Sequence, residues 1–298
     1  MSTYKIYTDS CSDLSTASRR KLDVEYCRMN IIVDGNEIPA DLDWKEYTVE
    51  EFYGWLYAGR KIKTNQVPLV EYLEKFELAL KEGKDVLYLC ASSALSGSIN
   101  TAIMARGELL EKYPERKIVI VDTLTAAGCQ SMIVFKACEL RDQGKTIEEV
   151  EEWVNEHKLN FHQFATVDDL KYLKNAGRIK GSKAFFGNLI GIKPIFISDA
   201  HGNNLAIKNV RGTKASLDEI FNQIKENIDL TQCDTVFVGQ GKAEASAAKL
   251  KERFEKELGV KVFEFIIGPI IGTTCGPGII SAFCYGKKVT RYEGDGIK

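Results

Sequence analysis

Asp85-Val86-Leu87-Tyr88-Leu89-Cys90-Ala91 runs directly into Ser92-Ser93-Ala94-Leu95-Ser96-Gly97-Ser98. The first seven residues are almost continuously apolar, the pattern of a strand buried on both faces of a parallel sheet. The serine-rich turn then opens a helix predicted over 98–110. Its backbone N–H groups and dipole point above the sheet, where negative charge is favoured. Lys117-Ile118-Val119-Ile120-Val121-Asp122-Thr123 repeats the sequence of strand, polar turn and helix, here through residue 140. Upstream, Tyr4-Lys5-Ile6-Tyr7-Thr8 reads as a first strand ending in a polar loop. This alternation predicts right-handed βαβ units and an open α/β sheet. Ligands of such sheets lie beyond the carboxyl ends of the strands. The loops after Thr8, Ala91 and Val121 then share one rim.

Between these units, 24–33 with Asn36-Glu37-Ile38 suggests a hairpin around Asp34-Gly35. Thr48 and Glu51 form a capping box for a helix over 48–58. Thr64-Asn65-Gln66-Val67-Pro68 reads as a break before a helix that reaches residue 80. A further helix starts at the Thr146 cap. The pattern changes near 155–160, which suggests two α/β domains, 1–160 and 161–298. The first is an open parallel-sheet, Rossmann-like domain. The second reads as a mixed sheet, with strands at 163–166, 193–198, 205–210, 235–238, 261–265 and 279–284. Helices are expected at 168–174, 182–190, 213–225 and 242–258, and a hairpin turn at 200–204.

Bulk properties narrow the function classes. The chain has 298 residues, 44% hydrophobic and 28% charged, with a net charge of -2. Nothing steers such a chain as a whole to nucleic acid. Met1-Ser2-Thr3-Tyr4-Lys5 lacks the apolar core of a signal peptide, and no run is long enough to span a bilayer. A cytoplasmic location is expected. The eight cysteines form no CxxC pair, and the three histidines show no ligand spacing. Neither a disulfide framework nor a metal site is expected.

Three loops offer many hydroxyls and backbone N–H groups: 8–14, 92–98 and Gly272-Thr273-Thr274-Cys275-Gly276-Pro277-Gly278. The 92–98 loop is neither GxxxxGK[ST] nor GxSxG. Such loops suit holding a small anionic headgroup by hydrogen bonds. A serine hydrolase with Ser93 as nucleophile is the enzyme alternative, and it needs a base within reach. Lys171, Lys174, Arg178, Lys180 and Lys183 form a local basic cluster. It reads as a solvated face or as a dock for an acidic partner.

Seven of these segments, in this order, resemble the DegV family of bacterial fatty-acid-binding proteins. They are 8–14 (TDS-x-SDL), 64–68 (a TSQPS-type loop), 92–98 (SSxLSGT), Asp122-Thr123, the segment ending in Gly177-Arg178-Ile179, Ile192-Lys193-Pro194-Ile195 and 267–278 (GP-xx-G-xHxGPG). The resemblance implies two α/β domains with a long-chain fatty acid in a tunnel between them and no other cofactor. It implies a carboxylate held by Thr64 and Ser93, with Ser96, Gly97 and Thr274 beside it. Asn65, Ser98 and Cys275 are candidate further contacts. Arg178 falls at the GRI arginine and is a candidate for partner docking. Family members in fatty acid kinase systems present the bound acid to a separate ATP-using subunit. The resemblance therefore implies a non-catalytic monomer, compatible with transient contact with a membrane surface.

Three positions depart from the motifs. The motif histidine is Thr274, the serine after the first threonine is Asn65, and the last threonine of SSxLSGT is Ser98. Loss of the histidine removes a charge-assisted bond of roughly 1.5–3 kcal/mol. Burying some fifteen methylenes at ~0.8 kcal/mol each contributes about 12 kcal/mol before ordering costs. The tail therefore outweighs the head. Phe185, Phe186, Leu189, Ile190, Ile195 and Phe196 are candidate tunnel walls. A diverged binder of another small carboxylate or amphiphile is the second reading.

Overall fold

The computed structural model describes residues 3–180 and 191–291. The expected helix at 182–190, the wall candidates Phe185, Phe186, Leu189 and Ile190, and Lys183 lie outside the described residues. In chain order the described strands are β1 (Tyr4–Asp9), β2 (Val24–Cys27), β3 (Asn30–Val33), β4 (Asn36–Pro39), β5 (Ile62–Asn65), β6 (Asp85–Cys90), β7 (Ile118–Asp122), β8 (Phe161–Thr166), β9 (Ile179–Lys180), β10 (Ile192–Ser198), β11 (Asn204–Arg211), β12 (Thr235–Gly241), β13 (Lys261–Ile266) and β14 (Ile279–Tyr285). The helices are α1 (Thr16–Leu22), α2 (Val49–Tyr57), α3 (Leu69–Lys81), α4 (Ser98–Lys112), α5 (Ala127–Asp142), α6 (Ile147–His157), α7 (Leu170–Ala176), α8 (Gly212–Asn227), α9 (Glu244–Arg253) and α10 (Pro269–Cys275).

The described residues form three sheets. A parallel sheet has the order β2-β1-β6-β7. The apolar run 85–91 supplies its interior strand β6, whose residues 86–90 are all buried. A mixed seven-stranded sheet has the order β13-β12-β14-β8-β10-β11-β9. A small antiparallel sheet, β4-β3-β5, sits beside the first. Helix α5 packs against strands of both large sheets and is the shared spine of the core.

Two capping boxes are present, Thr48 with Glu51 and Thr146 with Glu149. Asp34 (φ 51°) and Gly35 (φ 94°) make the expected hairpin turn between β3 and β4.

Three local expectations change. Residues 24–33 are two strands in two different sheets. The chain breaks at Arg28 and Met29, whose N–H groups donate to Glu71 and to the Ser10 hydroxyl instead of to a ladder. Residues 62–65 form β5 because β3 supplies a partner. The glycine-rich 272–278 run begins inside α10, which Pro269 opens at its first turn.

Candidate functional site

A cavity of about 160 Å³ lies where the 64–66 and 95–97 segments, α10 and the inner face of the mixed sheet meet. Thr64, Arg178 and Thr274 line both this cavity and an exposed outer groove, so they mark its mouth. Inward the lining becomes apolar, with Ala126, Ala127, Ile267, Ile271, Phe196 and Phe283. Arg178 is the only charged side chain among the described lining residues.

At the mouth, the serine turn presents one hydroxyl, that of Ser96. Ser98 Oγ is buried and accepts the Val67 N–H at 3.2 Å. Ser96 Oγ accepts the Ser98 N–H at 3.2 Å, and the two hydroxyls are 2.9 Å apart. One proton serves that pair. Either hydroxyl can donate in that pair, and half-buried Ser96 is the one of the two that lines the cavity. Gly97 caps the 15-residue α4 without a side-chain bond, so the positive end of the helix also looks onto the mouth. A Cβ on Gly97 would meet Gln66 Oε1, so a larger residue there would have to push the Gln66 amide aside. Gln66 is held by donating to Thr101 Oγ1 at 2.7 Å.

The sequence-predicted residues divide into those the cavity gathers and those it does not. Thr64, Asn65, Ser96, Gly97, Thr274, Cys275 and Arg178 line it. Ser98 stands behind Ser96. Ser93 does not line it: the residue is exposed, and its N–H donates to the Asp122 carboxylate at 3.2 Å. The resemblance implies Ser93 at the headgroup; the described lining of this cavity does not include it. The turn sends Ser96, not Ser93, inward. Asn65 is spent locally, donating to Glu37 and accepting the Gln66 N–H. Thr274 donates to the Ile270 carbonyl at 3.1 Å, so its proton is committed to its own helix. Burial pushes the Cys275 thiol up to about 12, which leaves it a neutral wall.

Arg178 is exposed at the cavity mouth and also lines the outer groove. Its Nη1 donates to the Ala176 carbonyl at 2.8 Å and its Nε to the Leu95 carbonyl at 3.3 Å. It therefore bridges α7 to the serine turn at the cavity mouth. Gln163 and Asn204 also line the cavity and were missed by sequence reasoning. Gln163 Nε2 donates to Asn204 Oδ1, and Asn204 Nδ2 donates to the Arg178 carbonyl, both at 3.2 Å. Gln163 opens the expected 163–166 strand, which reads as plain core, and Asn204 falls in the expected 200–204 turn but opens β11, so no local signal marked either.

The opening 8–14 loop is scaffold. Asp9 is fully buried and accepts from Cys11 N, Ala91 N, Tyr88 OH and Gln130 Nε2. Burial raises its pKa, against these donors. Of this loop only Cys11 reaches the cavity lining. No histidine lines the cavity. Among the described residues no cluster of three or more His, Cys, Asp or Glu side chains could hold a metal ion. No described helix is long and apolar enough to cross a membrane.

The outer groove shares Arg178 and adds Arg60, Lys61, Lys63 and Lys171, with no carboxylate among its described lining residues.

Comparison with known proteins agrees with this architecture. Residues 3–287 match the family described as "Uncharacterised protein, DegV family". A DegV domain-containing protein of Clostridium perfringens (strain 13 / Type A) is 35% identical over 288 residues, covering 96% of this chain and 98% of that one. Among solved structures, a fatty-acid-binding DegV family protein from Thermus thermophilus is 26% identical with a TM-score of 0.83, covering 96% of this chain and 100% of that one. A stearic-acid-binding protein from Eubacterium ventriosum ATCC 27560 is 24% identical with a TM-score of 0.85, covering 95% of this chain and 98% of that one. At that identity it speaks for the fold alone. By its sequence from residue 3 to 287 and by its fold, the chain belongs to the DegV family.

Proposed function

We propose that this chain binds one long-chain fatty acid without turning it over. The carboxylate lies at Thr64, Ser96 and the α4 N-terminus, with the Arg178 charge beside it. The tail points toward Ala127, Ile267 and Phe283. The supporting observation is the composition of the lining: one cation, no carboxylate among its described members, and an apolar interior. An amphiphile with a single negative head complements that distribution. The fatty-acid binding of the Thermus thermophilus relative points the same way.

The reading treats the chain as two lobes meeting near residue 160 and acting as a monomer. It also makes the basic outer groove the docking face for an acidic partner, a separate ATP-using subunit that phosphorylates the presented carboxylate. Electrostatic complementarity there governs encounter more than final affinity.

One observation favours a smaller amphiphile as the second reading. A cavity of about 150 Å³ holds one benzene, and this one measures about 160 Å³. Calorimetric titration of delipidated protein decides between them. Oleate binding more tightly than both methyl oleate and hexanoate supports the proposal; a preference for hexanoate supports the second reading. Equal affinity for acid and ester removes the headgroup assignment.

A further inference from the structure

We propose that an acyl tail too long for the cavity passes Phe283 and ends in a second, aromatic cleft behind it. This rests on the fatty-acid reading above. The cleft measures about 590 Å³ and lies between α5, α6 and the far part of the mixed sheet. Met132, Phe135, Trp153, Phe237, Phe263 and Tyr285 line it. Four of these rings, Phe135, Trp153, Phe263 and Tyr285, are only half-buried. So much aromatic surface left partly wet is ready to cover an apolar guest.

Register places the two spaces side by side. Phe283 lines the cavity and Phe237 lines the cleft. The two are direct partners on β14 and β12, and Phe237 in turn pairs with Phe263 on β13. Partnered residues point to the same face of a sheet. Phe283, Phe237 and Phe263 therefore form one row beneath α5. Ala127 of that helix lines the cavity and Met132 lines the cleft. Five residues of helix span about 7.5 Å. The partition is thus about one ring thick.

Gly128 sets how closely α5 meets the partition. A Cβ there would lie 2.4–2.7 Å from three atoms of the Phe283 ring. The helix packs bare backbone on that ring, so a side chain at 128 would displace it. Further along α5, Phe135 sits edge-on to Phe237 and Phe263, with centroids 5.6 and 5.7 Å away. The guest the cleft suits is the methyl end of a chain. The cavity's small volume gives that end a reason to travel there.

Cys233 lines the cleft and is half-buried, whereas the other seven cysteines are buried. Its alkylation therefore reports on the cleft. Delipidated full-length protein is loaded with octadecanoate or decanoate, loading is verified by native mass spectrometry, and the rate of Cys233 modification by N-ethylmaleimide is followed. Octadecanoate should slow modification about tenfold, the effect of taking a thiol out of solvent. Decanoate should leave the rate unchanged. In Gly128→Ala, which jams the ring, octadecanoate should lose this protection while decanoate still binds. Octadecanoate that binds without protecting Cys233, or decanoate that protects equally, overturns the extension and leaves the fatty-acid reading intact. Failure of both acids to bind overturns the two together.

Discussion

The Ser92 hydroxyl donates to the Gly202 carbonyl at 2.8 Å, joining the serine turn after β6 to the tip of the β10–β11 hairpin. Ser92 is fully buried, so this one bond ties the parallel sheet's rim to the mixed sheet. Gly202 holds φ +77°, and a Cβ there would lie 2.2 Å from Ser92 Oγ and 3.0 Å from Leu124 Cα. Ser92→Ala should cost about 1–3 kcal/mol, because the Gly202 carbonyl is left without its donor. Gly202→Ala should cost more, since strained backbone adds to the collision. Urea midpoints measure both; wild-type midpoints would refute the clasp.

Ser96 and Ser93 separate cleanly by position. Ser96→Ala should weaken fatty-acid affinity roughly fivefold, the worth of one neutral hydrogen bond. Ser93→Ala should leave affinity unchanged, because Ser93 lies outside the lining. Fluorescent fatty-acid displacement compares them, and the reverse order would return the headgroup to Ser93.

Thr274 contributes no free proton to the mouth, so restoring the motif histidine should add a contact rather than trade one. Thr274→His should tighten fatty-acid binding about tenfold or more, through a charge-assisted bond of about 1.5–3 kcal/mol. A carboxylate partner raises the imidazole pKa above its usual ~6.5. The gain is therefore full at low pH and is lost as pH rises through that raised value. Titrations at acidic and alkaline pH check the sign; a gain independent of pH rules out a cationic contact.

Asp13 makes stability depend on pH. Its Oδ1 accepts the Gly268 N–H at 3.0 Å, while its buried Oδ2 has no partner. Burial pushes its carboxyl well above the ordinary 3.8; the Gly268 bond opposes this and the charge of Asp9 adds to it. A carboxyl raised in the folded state holds its proton more tightly there than in the unfolded chain. Its contribution is complete below the unfolded value and is lost as pH rises through the folded one. Asp13→Asn cannot ionise, so its stability relative to wild type should climb across that rise. Denaturation at a series of pH values tests this; parallel curves would contradict it.

Much of the fold was legible because its signals are local. The apolar run 85–91 needs no distant partner to be read as a two-sided buried strand. Thr48 and Glu51 announce their helix within four residues. What escaped depends on contacts far along the chain. Ile62-Lys63-Thr64-Asn65 is a strand only because β3 lies beside it. Residues 269–275 are helical despite a glycine and two threonines, braced by α2, α7 and β5. The site divides the same way. Composition marked the 92–98 turn, but four similar serines cannot show which hydroxyl turns inward; the start of α4 decides that. Gln163 and Asn204 reach the cavity through sheet register, which no local pattern encodes.

Native mass spectrometry of the full-length protein, as purified and after incubation with palmitate or oleate, tests the central claim most directly. The account predicts a mass increase of one fatty acid per chain. A bare polypeptide mass that persists after both acids have been offered would contradict it.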